Sequence, residues 1–448
     1  MTKLNRWKMW SVMLAFYAVT MMSANAQTYS VVCICDVAGF PEILAQGQDG
    51  NLYGTAGGGT SGDGVVFSLS TTGQFTVLHN FSGSDGSGPR SGLTLGSDGN
   101  FYGATERGGL NERYCNGCGT LFKISPNGNL TTLHYFNGQD GAYPYAPPVE
   151  GRDGNFYGMT SSDNRDNGTT YRISSSGAFT LLGKFPSGGG FAPFVEASDG
   201  GLYGTAPFEP GIVFKMTPKG IVSRFSFDWT DGSEPWGPVA LGSNGYVYGT
   251  TELGGLYGGT YGVGVIYELT SRSAITVLHD FGDPNYPNDG QSSTAGLLYA
   301  TDGNFYGVTA GGGTQNRGTI FQITPNGEYS ILYNFGIDGS WPGATPMQHT
   351  NGKIYGVAYE AVYSLDMGLA PFVAFVRPAG KVGQTGGILG QGFTGTTNVS
   401  FNGISANFNV VSDTYLTATV PSGATTGYVT VTTPTGVLTS NVPFRVIQ

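Results

Sequence analysis

The chain has 448 residues, of which 11% are charged, with 30 acidic side chains against 20 basic ones. An acidic balance argues against nucleic acid and anionic membranes as partners, since both select surfaces rich in Lys and Arg. The 76 glycines fall at regular places between apolar, β-branched and aromatic segments, so the chain reads as many short strands joined by tight turns, not as a charged disordered polymer.

In chain order, the first 26 residues read as a secretory signal peptide. Lys3, Arg6 and Lys8 form a basic start, Met9 to Met22 is mostly apolar, and Ala24-Asn25-Ala26 offers small residues for cleavage. The apolar run is short for a membrane span. The mature chain is expected to begin at Gln27 and to be secreted, at the cell surface or periplasmic, with no membrane insertion. It holds 17 basic against 30 acidic residues, a net charge of −13.

From there a six-residue pattern recurs seven times. It runs Asp49 to Gly54, Asp98 to Gly103, Asp153 to Gly158, Asp199 to Gly204, Asn244 to Gly249, Asp302 to Gly307 and Asn351 to Gly356, with steps of 49, 55, 46, 45, 58 and 49 residues. The second repeat shows the unit: Gly92–Leu95, a turn at Ser97–Asn100, Phe101–Thr105, Gly119–Ile124, a turn at Ser125–Gly128, and Leu130–Phe136. Four antiparallel strands per unit and seven units predict an all-β fold, a seven-bladed β-propeller spanning residues 27–368. The seventh repeat lacks a fourth strand after Leu365, and Tyr29–Cys35 is a spare one. That strand is expected to complete blade seven, closing the ring and removing an exposed sheet edge.

Cys115 and Cys118, in a loop of an exported chain, are expected to form a local disulfide. Cys33 and Cys35 read as two small apolar core residues. No Cys or His cluster completes a zinc site, the Asp-Gly turns lack calcium-ligand spacing, and no cofactor is expected.

Residues 369–448 leave the repeat pattern. Short alternating runs at Asn398–Phe401, Ala406–Val411, Tyr415–Val420, Gly427–Thr432 and Phe444–Ile447 predict a small β-sandwich. Through Arg377–Gly383, Gly390–Phe393, Val399–Gly403, Asp413–Pro421 and Thr433–Gly436, this segment resembles the IPT/TIG family of immunoglobulin-like domains. The resemblance implies a binding or spacer module without catalytic residues. The repeat region resembles the GloVer-type tandem repeats of exported bacterial proteins, through Phe81, Asp85–Pro89, Asp49–Thr55 and Gly57–Phe67; that resemblance implies no particular activity.

A residue present in every repeat is first a scaffold residue, so function is expected where the repeats differ. In such a blade the strand two-to-three loops and the blade-to-blade loops share one face, and these are the variable ones. They hold Glu106, Arg107, Arg113, Glu252 and Arg317. They also place aromatics beside proline, at Phe40-Pro41, Tyr143-Pro144, Pro235-Trp236, Tyr286-Pro287 and Trp341-Pro342. Tyr143, Trp236, Tyr286 and Trp341 with these carboxylates and guanidinium groups form the candidate ligand surface. The competing reading is that the aromatics only pack blade against blade.

No catalytic residue is assigned. His79, His134 and His279 share one repeat position and read as structural, and His349 precedes a turn of the other face. The expected function is a non-catalytic exported binding or adhesion protein, taking an extracellular ligand such as a polysaccharide or a cell-surface component. The alternative is a propeller-type lyase or hydrolase acting on polysaccharide or small molecules.

Overall fold

The computed structural model describes residues 27–35, 44–112, 115–163, 165, 167–185, 188–270, 274–337, 339–359 and 361–447. The segment read as a signal peptide, together with Phe40, Pro41 and Arg113, lies outside these residues. The described chain is all-β; its one helical turn is Gly259–Tyr261.

Residues 28–366 form seven four-stranded antiparallel sheets, here I to VII in chain order. Sheet II is typical: Thr94–Leu95, Phe101–Thr105, Thr120–Ile124 and Leu130–Tyr135 lie side by side in sequence order. The first strand of each sheet is only two residues long. In sheet VII the order is Thr28–Ile34, Ala361–Asp366, Ile354–Ala358, Met347–Gln348, so the start of the chain supplies the outer strand.

The recurrent six residues explain how each sheet is built and how neighbours meet. In Asp98 to Gly103 only Gly99 takes a left-handed backbone, φ 80°. Asp98 contributes acceptors instead: Oδ1 takes the Asn100 amide at 3.1 Å and Oδ2 takes the Tyr102 hydroxyl at 2.8 Å. The same closure recurs at Asp49, Asp153 and Asp302. Where the second strand of the next sheet begins with an aromatic, the tyrosine ring faces it: Tyr53 on Phe101, Tyr102 on Phe156 and Tyr248 on Phe305, with centroids 4.1, 3.7 and 4.3 Å apart. The last glycine is opposite the third-strand aromatic. A Cβ on Gly103 would stand 2.5 Å from Phe122 Cζ, which leaves no room for a side chain.

Seven apolar clusters fill the junctions. One lies between each pair of successive sheets, and one joins sheet VII to sheet I through Tyr355, Val357 and Val362 against Leu52, Val65 and Phe67. Cys33 and Cys35 pack in this last cluster, and the structure also pairs them as a disulfide. This corrects the expectation of two separate apolar residues. Cys115 and Cys118 are paired as well.

Residues 374–439 form two further four-stranded sheets around Val373, Ile388, Phe393, Val399, Leu416, Val429 and Val431. This unit is seated on the end of the sheets that carries the Asp-Gly turns. Leu389 and Tyr415 enter the cluster of Tyr53 and Phe101. Thr350 Oγ1 donates to Gly390 O at 3.2 Å, Thr414 Oγ1 donates to Gln48 O at 2.7 Å, and Arg377 pairs with Glu150 at 3.7 Å. A spacer held away from the repeats would make none of these contacts.

Candidate functional site

The end opposite the second unit is formed by the strand two-to-three loops and the sheet-to-sheet loops. The latter descend from the outer fourth strand of one sheet to the inner first strand of the next. Arg90, Tyr145, Phe191, Trp236, Thr294 and Gly343 each stand four residues before a first strand, and so occupy one equivalent place around the inner edge in sheets II to VII. Across sheets III to V that place is aromatic. Tyr145 lies 4.6 Å from Phe191, and Phe191 lies 4.8 Å from Trp236, ring centroid to ring centroid. Phe208, 46% exposed, extends the group outward from Phe191 at 5.8 Å.

Polar groups close both ends of this arc. At one end Glu106, 7% exposed, receives Arg90 Nε at 3.3 Å, Arg107 Nε at 3.0 Å and the Tyr145 hydroxyl at 3.1 Å. Both arginine side chains are 67% exposed, so the buried carboxylate holds two guanidinium groups at the surface. Burial and the adjacent Glu106 push the Tyr145 hydroxyl up to about 12, so it remains a donor at neutral pH. At the other end the Trp236 indole N–H donates to Glu234 Oε2 at 3.3 Å and lies beside Glu252. Burial first, and the like charge of Glu234 second, raise the Glu252 carboxyl above its usual range.

The remaining candidates separate. Tyr143 is half-buried with φ 58°; its amide donates to Cys118 O and Arg107 stands over its ring at 5.9 Å. Trp341 holds the corresponding place before sheet VII, with φ 47°, 54% exposure and Tyr359 at 6.1 Å. Arg317 accepts the Trp341 amide on its carbonyl. Tyr286 is not at this inner edge. It packs on the outer rim against His279 at 5.0 Å and Tyr329 at 5.4 Å, because the loop after Phe281 is lengthened there. Arg90, Tyr145, Phe191 and Glu234 carry as much of the arc as the residues singled out from the sequence. Counting back four residues from each first strand finds three of them.

All four histidines lie away from the arc. His79, His134 and His279 sit on outer strands, each bonded to an aspartate, Asp85, Asp140 and Asp289, at 2.8, 3.0 and 3.0 Å. His349 is 1% exposed on the opposite end, where its Nε2 donates to Gly50 O at 3.0 Å; burial lowers its pKa. Among the described residues, no three His, Cys, Asp or Glu side chains converge as metal ligands would.

The architecture is of the propeller-like kind. Streptogramin B lyase superposes with a TM-score of 0.54 at 15% identity, covering 76% of this chain and 97% of that one. Virginiamycin B lyase from Staphylococcus aureus gives 0.54 at 17% identity, over 76% and 98%. A catalytically inactive histidine-to-alanine variant of that lyase with quinupristin gives 0.54 at 16%, over 76% and 99%. At these identities the likeness is one of fold. Among curated proteins none matches in sequence. The model of the Gloeobacter/Verrucomicrobia repeat matches residues 17–209 and 192–368, and the chain belongs to that repeat family.

Proposed function

We propose that this is an exported, non-catalytic binding protein that takes a carbohydrate on the inner arc of the loop-bearing end. In this reading residues 1–26 are a signal peptide removed near Ala26-Gln27, and the mature protein is secreted, at the cell surface or periplasmic. The seven sheets are the blades of a closed propeller, with Thr28–Ile34 as the closing strand. Residues 369–448 are an IPT/TIG-like immunoglobulin sandwich that braces the opposite end.

One observation carries the reading. The chain has five tryptophans; beyond Trp10 there are three, Trp229, Trp236 and Trp341, and all three stand in sheet-to-sheet loops of the same end. Two of them, Trp229 and Trp341, are held at φ 71° and 47°. A scaffold has no use for large rings in strained, solvent-facing loops, whereas a sugar ring stacks its apolar face on an aromatic plane. Glu106, Glu234 and the Tyr145 hydroxyl supply hydrogen-bond partners at the rim of that plane.

Against the lyase alternative, no histidine stands on the arc. The lyase among the structural neighbours is inactivated by loss of a histidine. Here three histidine–aspartate pairs repeat around the outer strands and the fourth histidine is buried at the far end. The test is a glycan-array and affinity-electrophoresis screen of the mature chain, with Trp236→Ala and Trp341→Ala. Trp236→Ala should weaken the retained glycan at least tenfold without generating new saccharide ends. Binding indifferent to both substitutions overturns the choice of this arc, and release of shortened or unsaturated products favours the alternative.

A further inference from the structure

The loop from sheet IV to sheet V departs from its counterparts at one backbone position. In the loops after Phe81 and Phe136, that position, two residues on, is Gly83 and Gly138, with φ 78° and 80°. Each donates its amide across the turn, to the carbonyls of Gly86 and Gly141 at 3.1 Å. After Phe227 the same position is Trp229, with φ 71° and the same bond to Gly232 at 3.1 Å. Its carbonyl accepts the Gly255 amide at 2.8 Å, as Gly83 accepts that of Gly109 at 2.8 Å. A bulky side chain is disfavoured in this left-handed region, where glycine is at ease.

The ring held there is not used to fill a core. It meets Tyr261 at 6.2 Å, tilted by 52°, and Tyr261 is 65% exposed. Leu256, on the same strand two-to-three loop, is 73% exposed. Trp229 itself is half-buried, and strain retained at an aromatic that borders exposed rings and fills no core is a mark of use. The loop that presents Trp229 at the outer strand continues to Trp236 at the inner one. Three strand spacings separate the two edges of a four-stranded sheet, roughly 14 Å, more than a single sugar ring covers. The charge along this path is of one sign: Asp228, Asp231, Glu234 and Glu252 border it, and no Lys or Arg occurs from Phe225 to Ser271.

We infer that Trp229 and Tyr261 form an outer platform of the same binding surface, and that the ligand is an extended neutral polysaccharide lying radially from Trp236 to the rim. This rests on the carbohydrate reading above and adds polymer length and lack of negative charge.

The test uses the mature full chain in affinity electrophoresis and titration calorimetry with soluble β-glucan, xylan and galactomannan, their trisaccharides, and polygalacturonate. Retention by a neutral polymer and not by polygalacturonate is expected. Trp229→Gly should weaken polymer binding at least tenfold and leave trisaccharide binding unchanged. Its melting temperature should be equal or higher, since glycine returns to a position it holds in other loops. Tyr261→Ala, at an exposed residue, should weaken the polymer in the same way and guards against a folding artefact in the first variant. Unchanged polymer affinity in both variants while Trp236→Ala weakens it overturns this inference and leaves the carbohydrate reading standing. Preference for polygalacturonate overturns it too. Retention by no glycan overturns both readings.

Discussion

Tyr171, Tyr267 and Tyr363 occupy the third-strand position that is Phe67, Phe122, Phe214 and Phe321 in the other sheets. All seven rings are 0% exposed, and the three hydroxyls have no hydrogen-bond partner. A buried hydroxyl without a partner loses its water bonds for nothing, at a cost on the order of 1–3 kcal/mol. Tyr171→Phe should therefore stabilise the protein by about 1 kcal/mol, raising the melting temperature by about 2 °C in calorimetry. The repeat motif makes the same point about residue roles. Its glycine turn could be read from sequence, but the hydroxyl-to-aspartate closure and the stacking on the next sheet could not, because both partners are fixed only once the strands pair.

At the scale of elements, the loops decide where chemistry can occur. Asp163, in the strand two-to-three loop of sheet III, shows how one is pinned. Its Oδ1 accepts the amides of Arg165 and Asn167 at 2.7 and 2.9 Å, and its Oδ2 accepts Lys184 Nζ at 2.8 Å. Burial pushes the carboxyl up, but the Lys184 ammonium and these amides outweigh it and bring it down to about 2. A depressed folded-state value means that the stabilisation is complete above the unfolded value near 4 and is lost as pH falls through about 2. Asp163→Asn should cost about 2 kcal/mol at pH 7 and less than about 0.5 kcal/mol near pH 2, measured by denaturation at both values. An equal cost at the two pH values would show that the charge is not what holds the loop.

The same scale explains which site residues were legible. Trp236, Trp341, Glu106 and Glu252 stand out because they interrupt a repeat. Tyr145 and Phe191 did not, since the first strands that locate them are two residues long and give no alternating pattern. A neighbouring proline gives Tyr286 the same sequence signature as Tyr143, yet backbone position, not the proline, determines which rings share the inner edge.

For the whole molecule, the proposed closed propeller depends on Thr28–Ile34, the outer strand of sheet VII. Tyr29 stacks on Tyr333 at 3.8 Å, and Val32 and Cys33 pack in the cluster that joins sheet VII to sheet I. Deleting Tyr29–Cys35 removes both contacts and exposes the edge of Ala361–Asp366. The deletion should lower the melting temperature by about 5–10 °C, followed by calorimetry. An unchanged transition would mean that this strand carries no part of the closure.

The seated second unit adds a consequence for function. By covering Gln48, Gly50, Glu150 and Thr350 it occupies the end where the recurrent turns lie, and the variable loops are left as the open end.

The sequence by itself determined the count of repeats, the all-β class, the turn chemistry and the family, because these rest on local backbone preference and on period. It also marked the end of the molecule where loops vary, since strand alternation assigns each connection to a face. Only the tertiary structure decided which side chains converge: Arg90 with Glu106 and Tyr145, Phe191 between Tyr145 and Trp236, and Trp229 against Tyr261. These residues come from different sheets and loops, and their meeting depends on how the sheets pack around one another, which no single repeat encodes.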